Sequence, residues 1–139
     1  SLSLLKIGPS RSASKILKNQ SQLMTEDKNT SYGKEILALV EPMIEAIQKC
    51  DIKEIGNLLN ENWKLKINLS DGVSSKEIDD KVSFLLDTPG IYGTKLLGAG
   101  GGGYLLVIGE PKSIKSLNSK ECLSVDFENA GSTIIFKDN

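Results

Sequence analysis

Lys95-Leu96-Leu97-Gly98-Ala99-Gly100-Gly101-Gly102-Gly103-Tyr104-Leu105-Leu106-Val107-Ile108 is the stretch on which the reading of this chain turns. It reads as a strand, a tight loop and a second, strongly apolar strand. Five of the six loop residues are glycine. Glycine is costly in backbone entropy, so such a run requires a reason. The physical reasons are positive φ angles and close approach of another backbone or an anion, and successive N–H groups in such a loop form an anion-binding nest. The letters satisfy GxGxxG at Gly98, Gly100 and Gly103. A dinucleotide site needs a helix after that loop, whereas a strand follows here. The phosphate-loop pattern ending in Lys-Ser or Lys-Thr is not met either. Two readings stand: a ligand-free hairpin turn, or a loop lying against a phosphate site built mainly by another domain.

Working outward, Leu2, Leu4, Leu5 and Ile7 form a strand pattern stopped by Gly8-Pro9. Ser10 or Ser12 can cap a helix through Ile16, Leu17, Leu23 and Met24. The polar residues 25 to 31 predict a loop. Ile36, Leu37, Val40, Met43, Ile44 and Ile47 recur at helical spacing, with Pro42 expected to kink or divide that helix. Asp51 is a candidate N-cap for a helix carrying Ile52, Ile55, Leu58, Leu59 and Trp63 on one side, broken by Asp71-Gly72. Ser74 to Glu77 reads as a capping box opening a helix with Ile78, Val82, Leu85 and Leu86 inward. A strand over 91–97, the glycine loop, a strand over 104–108 and a short helix within 111–120 follow. Leu123 to Phe127 alternates as a half-buried strand, and Thr133 to Phe136 as a hairpin partner. Without the extra helices and the last strand the order is βαββαβ. This predicts an α+β domain, ferredoxin-like (split βαβ), with an antiparallel sheet and additional helices.

The chain has 139 residues and a mass of 15.0 kDa, about one domain. Seventeen basic and eighteen acidic residues leave a formal net charge of −1, so no global basic field favours nucleic acid or an anionic membrane. Histidine is absent, which removes Ser-His-Asp and Cys-His catalysis and His-ligated zinc. Cys50 and Cys122 match no CxxC pattern and read as free, buried thiols of a reducing, cytoplasmic compartment. The apolar runs are too short to span a bilayer, and no signal peptide is visible.

The stretch Lys95 to Tyr104 resembles the third motif of the GHMP kinases, which include galactokinase, homoserine kinase and mevalonate kinase. Trp63-Lys64-Leu65-Lys66-Ile67-Asn68-Leu69-Ser70 with Val73-Ser74 looks like a segment of the sugar-phosphate members, notably those similar to D-glycero-D-manno-heptose 7-phosphate kinase. Gly8-Pro9-Ser10-Arg11-Ser12-Ala13-Ser14 is similar to their strand-end segment. The sequence departs from that pattern at Ile67, where a basic residue is common, and at Pro9. The resemblance implies that residues 1–139 are one domain, the C-terminal half of a two-part kinase. The N-terminal half, with its ATP loop and most of the acidic and Mg²⁺ chemistry, would be missing, and Ser1 would be a cut end. ATP and Mg²⁺ are then cofactors of the full-length enzyme, with none held tightly by this chain, which is expected to be inactive alone. The partners implied are a sugar-phosphate substrate and the missing half, with a homodimer through an exposed inter-domain face as a further expectation.

The same resemblance gives Gly98, Ala99, Gly100, Gly101, Gly102 and Gly103 a backbone role beside the ATP phosphates. It makes Lys66 a candidate for neutralising substrate phosphate, against a solvated helix-end lysine. Arg11 is the only arginine, and its planar fork suits phosphate bidentately, against a surface salt bridge. Ser10 and Ser12 are candidate substrate contacts as well as turn formers and caps. No catalytic residue and no metal ligand is expected in this chain. Trp63 reads as core or as a sugar-stacking platform, and Lys95 as facing either the cleft or solvent. The competing reading is a non-enzymatic, ferredoxin-like binding module for a small anion or a protein partner.

Overall fold

Short strands with one strongly apolar face need a shared layer of helices to cover them. The computed structural model, which describes residues 1–8, 18, 27–68, 71–117, 122–125 and 131–133, has that arrangement. In chain order the elements are β1 (Leu2–Ile7), α1 (Asp27–Ala38), α2 (Val40–Gln48), α3 (Ile52–Ile67), α4 (Lys76–Leu86), β2 (Ile91–Leu96), β3 (Gly103–Gly109), α5 (Pro111–Ser116) and β4 (Cys122–Val125). The four strands form one antiparallel sheet in the order β2-β3-β1-β4, the expected ferredoxin-like arrangement. Leu5 and Ile7 of β1, Leu96 of β2, and Leu105 and Val107 of β3 meet Trp63, Val73, Ile78, Val82, Leu85 and Ile114 in one core. Trp63 is 4% exposed, so it is a core residue and not a platform.

Several local expectations need correction. Helix α1 begins at Asp27, inside the polar run expected to be a loop. A surface helix needs only one apolar stripe, so a polar first turn carries no periodic signal. Pro42 does divide the helical pattern: the chain breaks at Leu39, and Pro42 falls in the first turn of α2, where an N–H is not needed. Helix α3 ends at Ile67, with Asn68 as its C-cap, before the Asp71-Gly72 turn. The cap of α4 is Ser75, which accepts from the Ile78 amide, while the Ser74 hydroxyl donates to Asp79. Leu86 is exposed rather than inward.

Cys50 is exposed, not buried. It holds φ +53° as the left-handed residue after α2, with Cys50 N–H on the Ile47 carbonyl and Asp51 N–H on the Ala46 carbonyl. That pairing is a Schellman helix stop, so position 50 is set by backbone geometry and not by burial of sulfur. Cys122 is half-buried. The helix expected after Ser10 and the strand ending at Phe136 lie essentially outside the described residues.

The contact that positions the site is between α3 and β2. In the described sheet β2 is an edge strand, and an edge presents unpaired N–H and C=O groups. Asn60 of α3 closes this edge. Its Nδ2 donates to the Tyr92 carbonyl at 3.1 Å, and its Oδ1 accepts from the Thr94 N–H at 2.9 Å. The helix comes close enough because Gly56 faces Gly93: a Cβ on Gly93 would lie 2.2 Å from the Gly56 carbonyl oxygen. Asp51 fixes where α3 starts, accepting from the Glu54 N–H at 3.1 Å.

Two neighbouring substitutions test this docking in opposite directions. Gly93→Ala forces two backbones apart and is expected to destabilise the chain by roughly 3 kcal/mol. Thr94→Val leaves the Asn60 bond intact and removes a hydroxyl that is buried without a partner among the described residues. It is expected to stabilise by about 1 kcal/mol. Urea unfolding of both variants, read by Trp63 fluorescence, checks the pair.

Candidate functional site at the glycine loop

Three segments converge at one end of the sheet: the end of α3, the α3–α4 connection and the β2–β3 loop. The hairpin closes with Leu97 N–H donating to the Tyr104 carbonyl at 2.9 Å, and residues 98–102 make the tip. Gly98, Gly100, Gly101, Gly102 and Gly103 all have positive φ. The requirement is sharpest at Gly100, where φ is +113° and a Cβ would sit 2.7 Å from the Val73 carbonyl oxygen. Val73 is fully buried on the α3–α4 connection, and its carbonyl accepts from the Gly101 N–H at 2.8 Å. The loop is therefore held against a rigid part of the core.

A second hold comes from α3. Lys66, in its last turn, donates from Nζ to the Gly98 carbonyl. Lys95, on β2 just before the loop, is also half-buried and, with Leu58, Leu59 and Asn62 of α3 and residues of α1 and α2, lines a groove of about 250 Å³. Burial pushes the Lys66 amine below its ordinary pKa, and the nearby Lys95 charge pushes it further. Burial alone lowers Lys95. The ion pairs among the described residues are Lys49 with Glu45 and Lys76 with Asp80, so neither Lys66 nor Lys95 has a described carboxylate partner. The amides of Gly100 and Gly102 meet no protein acceptor among the described residues. The result is a pinned loop beside two half-buried cations, with two loop amides that have no acceptor among the described residues, a setting suited to an anion.

The sequence reading brought Gly98 to Gly103 and Lys66 forward, and the structure brings them together. Ser10, Arg11 and Ser12 lie outside the described residues. The sequence reading missed Val73 as the loop's anchor, Asn60 as the edge clamp, and Lys95 as Lys66's neighbour. A signal existed for the clamp: an isolated glycine inside a helical pattern, Gly56, and one inside a strand pattern, Gly93, both mark close backbone approach. Among the described residues no group of three or more Cys, Asp or Glu side chains gathers to hold a metal ion. No described helix is long and apolar enough to cross a membrane.

Comparison with known proteins agrees with this fold. The family described as GHMP kinases C terminal matches residues 43–117, more than half of the chain. The chain is 37% identical over 75 residues to the bifunctional fucokinase/GDP-fucose pyrophosphorylase of Arabidopsis thaliana, covering 54% of this chain and 7% of that protein. It is 34% identical over 64 residues to the galactokinase of Levilactobacillus brevis, covering 46% of this chain and 16% of that one. Among solved structures, the mevalonate kinase of L. major in complex with R-mevalonate superposes with a TM-score of 0.75 at 23% identity, covering 86% of this chain and 38% of that chain. Streptococcus pneumoniae phosphomevalonate kinase, in complex with phosphomevalonate and AMPPNP, gives 0.67 at 18% identity, covering 84% and 34%. At those identities the structural likeness speaks to fold. The chain belongs to the GHMP kinase C-terminal domain family, and it spans a small part of the length of the curated relatives it matches.

Gly100→Ala tests the loop's seating. The new Cβ collides with the Val73 carbonyl at an unfavourable φ, so the loop must lift and the Gly101 bond to Val73 is lost. The expected cost is about 2–3 kcal/mol in urea unfolding. Amide exchange at Gly101 should rise sharply in the same variant.

Proposed function

We propose that this chain is the C-terminal portion of an ATP-dependent kinase acting on an alcohol group of a sugar or sugar phosphate. In this reading it supports the phosphate site and contributes to substrate binding. The observation that carries the reading is the glycine loop, held by Val73 and Lys66 with amide donors left over, in a chain of the GHMP kinase C-terminal family. The names of the curated relatives, a fucokinase and a galactokinase, favour a sugar acceptor. The narrower reading, a heptose 7-phosphate kinase-like substrate, rests on the segment from Trp63 to Ser74.

The loop fits the phosphates of ATP, because amide donors stabilise negative charge without any reactive side chain, and phosphoryl transfer is mostly positioning and charge neutralisation. Ser10, Arg11 and Ser12 are assigned to the substrate side, and Lys66, expected there from the sequence, is assigned instead to holding the loop, because its amine is on the Gly98 carbonyl. The described residues do not fit Mg²⁺, since no carboxylate cluster forms among them. Magnesium and the acid–base chemistry are therefore assigned to an N-terminal half. Its docking surface would be the apolar face of α1 and α2, where Leu37 is 70% exposed and Ile47 57%, with Val40 and Ile44 beside them. The enzyme would work in the cytoplasm, and the isolated chain would not turn over.

The test is an ATP-consumption assay with fucose, galactose and a heptose 7-phosphate. The product of the complete reading frame should phosphorylate one of these, and the 139-residue chain none. Robust turnover by the chain alone would contradict the need for a second half. Anion binding with no turnover by the complete product would favour the binding-module reading. Light scattering of the isolated chain should show self-association through the α1–α2 face, and a clean monomer at high concentration would contradict an uncovered docking surface.

A further inference from the structure

Lys66 and Lys95 are not equivalent. The Lys66 amine is committed to the Gly98 carbonyl, whereas the Lys95 amine has no hydrogen-bond partner among the described residues. Both are half-buried on neighbouring elements, without a described carboxylate between them. Two such cations repel one another and lose hydration, a state relieved by a counter-anion rather than by a neutral ligand. On the loop side the half-buried Gly102 amide, which meets no acceptor among the described residues, supplies a donor. The apolar walls of the groove, Leu58, Leu59, Ile36 and Met43 among them, lower the local dielectric around the Lys95 amine and strengthen any charge pairing there.

We propose that Lys95 is the side chain that takes a phosphate oxygen at the glycine loop, and that Lys66 is a positioning residue that holds the loop's backbone in place for it. This rests on the reading of the loop as part of a phosphate site, and deepens it by naming the cation and separating the two lysines' roles. A lysine ammonium is a point charge that fits a phosphate oxygen without demanding a planar partner. The ligand chemistry is a phosphate dianion, carried by a nucleotide or by a phosphorylated sugar.

The experiment is an NMR titration of the ¹⁵N-labelled 139-residue chain with inorganic phosphate, repeated with ATP and with a sugar monophosphate. Phosphate should shift the Gly98–Gly103 amides and the Lys95 Nζ signal, and the ester that binds more tightly identifies the source. Lys95→Met should leave the free loop's amide shifts unchanged and weaken phosphate about tenfold, the loss of one charge-assisted contact. Lys66→Met should shift the free loop's amides at Gly98 and Ala99 and also weaken phosphate, with Lys66→Arg restoring both; thermal unfolding of each variant separates this from a loss of fold. Phosphate binding that is unchanged in Lys95→Met overturns the proposal, as does a wild-type loop that does not respond to tens of millimolar phosphate. Kinase activity of the complete gene product alongside either result would leave the kinase reading standing. Lys95-dependent phosphate binding without any kinase activity would sink that reading and keep this one.

Discussion

The site depends on how closely α3 approaches the edge of β2. Gly56 and Gly93 remove the two side chains that would hold the backbones apart, and Asn60 then satisfies one acceptor and one donor of the strand edge. An edge strand left open pairs with other chains, so the clamp also protects the sheet. The docking carries the helix past the strand, so that the last turn of α3 reaches the loop that follows β2. Lys66 meets Gly98 for that reason. Without the close approach, a lysine at the end of a helix would be an ordinary solvated charge.

The loop, in turn, is less flexible than its composition suggests. Five positive φ angles would be compatible with many shapes, but the Gly98 carbonyl and the Gly101 amide are both engaged, one by α3 and one by the buried Val73. Those two bonds select one shape and leave the Gly100 and Gly102 amides without an acceptor among the described residues. A loop that is already ordered binds an anion without first losing backbone entropy. The half-burial of Lys66 and Lys95 belongs to the same arrangement: docking excludes water from their stems and brings like charges together. The strain is electrostatic and can be relieved by a ligand of opposite charge.

Much of this was readable in the residues. The strand pattern of Leu2 to Ile7, the apolar run of Tyr104 to Ile108 and the helical spacing of Ile78, Val82 and Leu85 led to the fold that the described residues show. Asp51 was identified as a cap and Pro42 as a divider. The glycine loop was found because its composition is costly. What escaped the reading was set by tertiary approach. Ser75, not Ser74, caps α4, a one-residue choice that local letters do not decide. Cys50 was expected inside because free cysteines usually are, but a helix stop put it outside. Asn60 looked like a polar residue on a helix, since nothing along the chain reports that an open strand edge lies against it. Lys95 was ambiguous for the same reason: alternation along β2 gives two faces, and only the docked helix says which one is half-buried.

Docking of α3 on β2 leaves Lys66 and Lys95 as neighbouring, half-buried cations. The most direct measurement is the titration of their Nζ groups, followed by NMR with and without phosphate. Both should titrate below the ordinary lysine value of 10.5, set apart from the exposed lysines, and phosphate should move both upward because a bound anion favours the charged amine. Lysines 66 and 95 titrating with the exposed ones, and indifferent to phosphate, would contradict that arrangement.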